Sequence, residues 1–158
     1  MAAPLTSTLA RKWKIDILTT GPSTYSVVKG IAECKADLFA ASVEDDDAYD
    51  DEGWGSGTKT KLAWSVELKM IRKRTAGTTT YDTGQEKLRT HARAFGDGGV
   101  AQVRIYDRDG GSEAYGGYAE VSWSAEGGKT SDLETVTVTL TGKGALTDIE
   151  NPDAESGS

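Results

Sequence analysis

The residues that could do chemistry are few, and their spacing supports little. The only histidine, His91, stands between Thr90 and Ala92 in a stretch with helical spacing. A general base needs partners that tune its proton affinity, and no such constellation accompanies it, so it reads as a surface or boundary residue of a helix. Cys34 is the only cysteine, which rules out an internal disulfide. Nothing near it in the sequence suggests thiolate chemistry, and it reads as a small buried apolar residue. Asp45, Asp47 and Asp51 are oxygen donors of the kind calcium takes, but the stretch lacks the twelve-residue loop with its central glycine and closing glutamate. Asp107-Arg108-Asp109-Gly110-Gly111 has the look of a metal loop and is explained more simply as a hairpin turn. Gly53 to Lys59 opens no helix that could cradle a phosphate. The expectation is a chain with no catalytic residue, no metal and no cofactor.

Charge and length narrow the partners. A chain of 158 residues fits one domain, expected to span residues 1–158 with a core over about 12–150 and flexible termini. Its net charge of -7 argues against a basic groove that grips nucleic acid. Seven of the nine residues from Glu44 to Glu52 are acidic, and that block alone equals the net charge. No apolar run reaches the roughly 18 residues of a membrane helix, and the opening MAAPLTSTLARKWK does not read as a signal peptide. A lone cysteine suits folding in a reducing cytosol.

The elements that would carry these residues are mostly strands. Lys12 to Leu18 alternates, with Trp13, Ile15 and Ile17 on one face. Thr24 to Phe39 reads as a strand or a bent hairpin with a bulge at Gly30, although Ala32 to Ala41 also fits a short helix. Lys61 to Lys73 carries the clearest pattern: Leu62, Trp64, Val66, Leu68 and Met70 oppose Lys61, Ser65, Glu67 and Lys69, as in a long central strand. Gln85 to Phe95 is the one expected helix. Asp82 or Thr83 would cap it, Gln85 or Glu86 would complete a capping box, and Leu88, Ala92 and Phe95 would face the core. Three further strands follow, from Val100 to Tyr106 with Val103 and Ile105 inward, from Glu113 to Ser124 with Val121 and Trp123, and from Leu133 to Thr141 with Val136, Val138 and Leu140. Pro152 and the polar residues 151–158 read as a fraying tail.

Residues 41–60 are expected to form a long exposed loop, because seven carboxylates repel one another when packed together. Trp54, flanked by glycines in that loop, has little to pack on in its own domain and suits a pocket on a partner. Antiparallel strands, turns and one short helix give a mainly β fold, an antiparallel sandwich or half-barrel; a parallel sheet would need long crossovers that are absent.

The stretch from Thr58 to Lys69, together with Tyr106-Asp107, Glu113-Ala114-Tyr115-Gly116-Gly117 and Gly127 to Glu134, resembles the major tail proteins of actinobacterial long-tailed phages. The likeness runs from about Trp13 to Pro152 and ends on a valine-threonine strand, Val136 to Thr141, and Asn151-Pro152. It implies a tail-tube fold and a structural role in the virion. Subunits form rings, usually of six, that stack into a tube, with DNA only as passing cargo. The implied partners are further copies of the chain, the tape measure protein, the tail terminator and the distal tail proteins, with no membrane. The protein would fold in the host cytoplasm before assembly. The loop from Val43 to Thr60 would reach the next ring, through Asp45, Asp46, Asp47, Tyr49, Asp50, Asp51, Trp54 and Lys59. Sheets of neighbouring subunits would join through Lys61, Ser65, Glu67, Lys69, Thr135, Thr137 and Thr139. A head-tail joining or capsid decoration protein, or a monomeric ligand-binding β module, would share the composition.

Overall fold

The computed structural model describes residues 3–7, 12–48, 52–130 and 132–154. Among them the chain forms β1 (Trp13–Thr20), β2 (Thr24–Val27), β3 (Ile31–Asp45), β4 (Gly57–Ile71), α1 (Thr83–Arg93), a short 3₁₀ turn (Gly96–Gly99), β5 (Val100–Asp107), β6 (Ala114–Ala125), β7 (Thr135–Gly142) and β8 (Thr147–Asp148). All strand pairs are antiparallel and belong to one sheet, in the order β2-β1-β5-β6-β7-β4-β3, with β8 added beside β6. The fold is therefore mainly β with one helix.

Residues 24–39 are neither a hairpin nor a helix. β2 pairs with β1 and β3 pairs with β4, so the two strands are opposite ends of the sheet joined by residues 28–30. Three residues span at most about 10 Å, so the sheet must bend until its ends meet at this connection. Two contacts record the bend. Phe39 of β3 lies edge-on to Tyr115 of β6, with centroids 5.7 Å apart. The Trp64 indole of β4 packs on the backbone of β6 and β7, where a Cβ at Gly117 or Gly142 would overlap it. Gly30 is the pivot of the connection, not a bulge: its φ is +81°, and a Cβ would strike the Ile71 carbonyl.

The concave face holds the core, built from Ile15, Ile17, Trp64, Val66, Leu68, Met70, Val103, Ile105, Val136, Val138 and Leu140, with Leu88 of α1 packed among them. Trp13, Val121 and Trp123 are partly buried against it. Leu62 and Phe95 depart from expectation, being 63% and 95% exposed. Leu62 keeps the alternation of β4 but lies in a part of the strand where nothing packs beneath it. Phe95 falls outside the helix, which ends at Arg93, and extended backbone at Ala94 and Phe95 turns it away.

Asp82 caps α1 by accepting from the Gln85 backbone N–H at 3.2 Å. The Gln85 side chain does not close a capping box. Fully buried, it donates to the carbonyls of Lys29 (2.6 Å) and Ile71 (2.9 Å) and accepts from the Lys73 N–H (3.0 Å), tying α1 to the place where the sheet ends meet. Arg72 stands between the rings of Tyr81 and Trp123, 4.0 and 5.1 Å from their centroids, and binds Glu86 at 2.7 Å. On the convex face Asp16 is buried, taking the Tyr106 hydroxyl at 2.9 Å and the Arg104 guanidinium, which itself stacks on Tyr25.

The carboxyl-terminal residues do not fray as expected. The Asn151 amide donates to the carbonyls of Asp107 (2.8 Å) and Gly111 (2.7 Å), and Asp153 meets Lys14 at 3.0 Å. Residues 155–158 lie outside the described part.

Candidate assembly surfaces

The expected loop 41–60 is strand at both ends. β3 runs to Asp45 and β4 begins at Gly57, paired through Ala41 with Leu62, Val43 with Lys59 and Asp45 with Gly57, so only residues 46–56 lie between strands. β7 accompanies β4 only from Ser65 to Ile71, which leaves residues 57–64 bonded to β3 alone as a two-stranded arm. Carboxylates do not prevent this, because a ribbon with both faces in water separates successive side chains instead of packing them.

The arm ends in carboxylates that hold its turn together. Asp45 accepts from the Asp47 N–H at 3.1 Å, Asp47 from the Ser56 N–H, and Asp46 from the Thr58 hydroxyl. Hydrogen bonds from Ser56 and Thr58 hold the Asp46 carboxyl below its ordinary value. Among the described residues none of Glu44, Asp45, Asp46, Asp47 or Glu52 has an ion-pair partner. Trp54 is 80% exposed. Lys59 belongs to β4, not to a loop, opposite Val43, and Lys61 lies on the same strand opposite Ser42. Tyr49, Asp50 and Asp51 lie outside the described residues.

Ser65, Glu67 and Lys69 pair with Thr141, Thr139 and Thr137, and Ile71 with Thr135, so these residues share one side of the sheet. Glu33, Lys35 and Asp37 of β3 extend the same polar surface across β4. Both edges of β4 along 65–71, and of β7 along 136–141, are bonded within the chain. Those residues can meet a neighbour through side chains only. Among the described residues the longer unsatisfied strand edges belong to β2, β3 and the arm part of β4, and the two-residue β8 is likewise paired on one side only. Exposed apolar side chains lie on these same elements, with Phe39 and Val43 on β3 and Leu62 on β4.

Among the described residues no catalytic arrangement emerges. The His91 ring lies 2.8 Å from the Gly98 carbonyl; a carbonyl only accepts, so Nδ1 carries the proton there and fastens α1 to the turn that follows. Burial pushes the Cys34 thiol up to about 11, away from thiolate chemistry. Among the described residues no group of three or more His, Cys, Asp or Glu side chains is placed to hold a metal, and no helix is long and apolar enough to cross a membrane.

Sequence reasoning missed the Gln85 bridge, the Arg72 stack and the Asp16 network. Asp16 carried one signal: a carboxylate in mid-strand among Ile15, Ile17 and Leu18.

No protein-family model matches the sequence, and no curated protein matches it. Solved structures do match in fold. A chain from the tail of an empty gene transfer agent particle, determined with C6 symmetry, superposes with a TM-score of 0.70 at 16% identity, covering 90% of this chain and 99% of that one. The SPP1 tail tube gives 0.63 at 12% identity over 92% of this chain and 81% of that one. A chain of the anti-feeding prophage baseplate gives 0.56 at 11% identity over 94% and 97%. The chain is thus similar in fold, along most of its length, to components of phage-like tails and injection systems.

Proposed function

We propose that this protein is a structural, non-enzymatic subunit that assembles with its own copies into the tube of a phage-like tail. The observation that carries the reading is the fold likeness to a gene transfer agent tail chain and to the SPP1 tail tube over at least 90% of this chain. Open strand edges at β2 and β3, and exposed apolar residues on β3 and the arm part of β4, support it independently, because a soluble monomer covers or blunts its edges.

Rings of six stacked along an axis, serving as the conduit for DNA ejection, are the finer form of the proposal. Neighbours in a ring join at the free edges of β2 and β3. The polar side carrying Glu33, Asp37, Glu67, Thr137, Thr139 and Thr141 borders the lumen, with Lys35 and Lys69 as its minority cations. A wall of that composition lets a polyanion slide instead of holding it. The arm, with Trp54 at its end, reaches an adjoining ring. Contacts with a tape measure protein, a terminator and distal tail proteins follow from the same reading. The actinobacterial phage source rests on the sequence motifs alone.

Negative-stain electron microscopy of the purified protein across a concentration series tests this. Hollow tubes of constant width are expected. Isolated rings or trimers at every concentration would favour a joining or decoration protein, and a persistent monomer would favour a ligand-binding module.

A further inference from the structure

The arm has a counterpart elsewhere on the molecule. A groove of about 450 Å³ opens where the two ends of the sheet meet, lined by Lys14, Lys29 and Arg108 along the backbone of residues 27–31. Its one carboxylate, Asp153, is already paired with Lys14 at 3.0 Å. Among the described residues Lys29 and Arg108 have no carboxylate partner, and Lys73 flanks the groove beside Gly30. The Lys29 backbone N–H lies 3.4 Å from the Asp82 carboxylate.

We propose that the acidic end of one copy's β3–β4 arm seats in this basic groove of another copy, so that Glu44, Asp45 and Asp46 meet Lys29, Arg108 and Lys73. The inference rests on the assembly reading above and supplies the receptor that reading lacks. Geometry excludes the groove of the same chain. β3 begins at the groove, with Ile31 in its wall, and ends at Asp45 in the tip. Fourteen residue steps of extended strand hold the two roughly 45 Å apart. A donor at one end of a strand and its receptor at the other make a heterologous, head-to-tail contact, the kind that propagates into a filament instead of closing a dimer. The charges are complementary: carboxylates without ion-pair partners meet a groove whose uncompensated charges, on Lys29 and Arg108, are positive. Arg108 also donates to the Trp13 carbonyl at 3.2 Å. Such complementarity steers encounter and fixes register.

Two charge reversals test the proposal. Lys29→Glu/Arg108→Glu makes the groove acidic, and Glu44→Lys/Asp45→Lys makes the arm basic. All four positions are exposed and outside the core, so circular dichroism and the main melting transition should stay close to those of the native chain. Asp45→Lys loses the acceptor for the Asp47 N–H, and Arg108→Glu the donor to the Trp13 carbonyl. Glu44→Lys alone, which removes neither bond, must therefore weaken assembly as well. Each reversed protein alone is expected to need at least about tenfold more protein to form sedimentable tubes. An equimolar mixture of the two should recover assembly, since each arm then finds an opposite groove. Should the harsher groove variant misfold, Lys29→Gln/Arg108→Gln must weaken assembly in the same direction. Tubes from either reversed protein at the native concentration, or a mixture that stays as inactive as its components, would overturn the docking while leaving the tube reading intact. A native chain that never assembles would remove both.

Discussion

Gln85 shows how much one side chain can hold. Its amide satisfies two carbonyls and one N–H from two separate segments, the β2–β3 connection and the end of β4, in a place water does not reach. Gln85→Leu keeps the volume and abandons all three groups, so a loss of about 2–4 kcal/mol is expected from urea titration. Tyr106 makes a pH prediction. Burial first, then the hydrogen bond and charge of Asp16, push its phenol well above the ordinary value. The native state therefore keeps this proton at a pH where the unfolded chain, with its phenol near 10, has released it, and stability must fall as pH climbs above about 10. Tyr106→Phe should be less stable at pH 8 and show a shallower decline toward pH 11 in the same titrations. Cys34, its thiol pushed up to about 11 by burial, should react with iodoacetamide at pH 8 far more slowly in the native protein than in urea.

At the scale of elements, legibility tracked how strictly one face is buried. β4 and β7 alternate because core lies under one side and polar surface on the other, and the sequence pattern reproduces their inner residues from Trp64 to Met70 and from Val136 to Leu140. The start of α1 was readable to within one residue, since Asp82 and Thr83 both offered a cap and Asp82 is the one that serves. The arm was not. Residues 41–45 and 57–61 are paired strands with both faces in solvent, so no alternation marks them and the acid content argued for a loop. The separation of β2 from β3 also escaped, because it depends on the path of the whole sheet and leaves only Gly30 as a local trace. The edge strands, where assembly surfaces concentrate, are thus the elements a sequence pattern describes least well. The consequence is measurable. Amides of 42–45 and 57–61 have no third strand beside them, so in the unassembled protein they should exchange much faster than those of 65–70, which β3 and β7 enclose from both sides.

For the whole molecule, the decisive separation is between what folds the monomer and what joins copies. Trp54 belongs to the second class: at 80% exposure, with glycines on either side, it contributes almost nothing to the core. Trp54→Ala should therefore leave the melting temperature nearly unchanged. A tryptophan with so much free surface gains most when a partner encloses it, and such anchors at interface centres are worth about 2 kcal/mol or more. Assembly by the variant should accordingly require roughly 30-fold higher protein concentration in sedimentation. Fluorescence supplies a second reading. Trp64 is buried, and Trp13 and Trp123 are partly so, leaving Trp54 as the indole most exposed to water. Polymerisation of the native protein should shift emission to the blue, and most of that shift should vanish in Trp54→Ala. Equal tube yields from the two proteins, with equal spectra, would mean that the end of the arm faces solvent in the assembly and that copies are joined by the sheet edges alone.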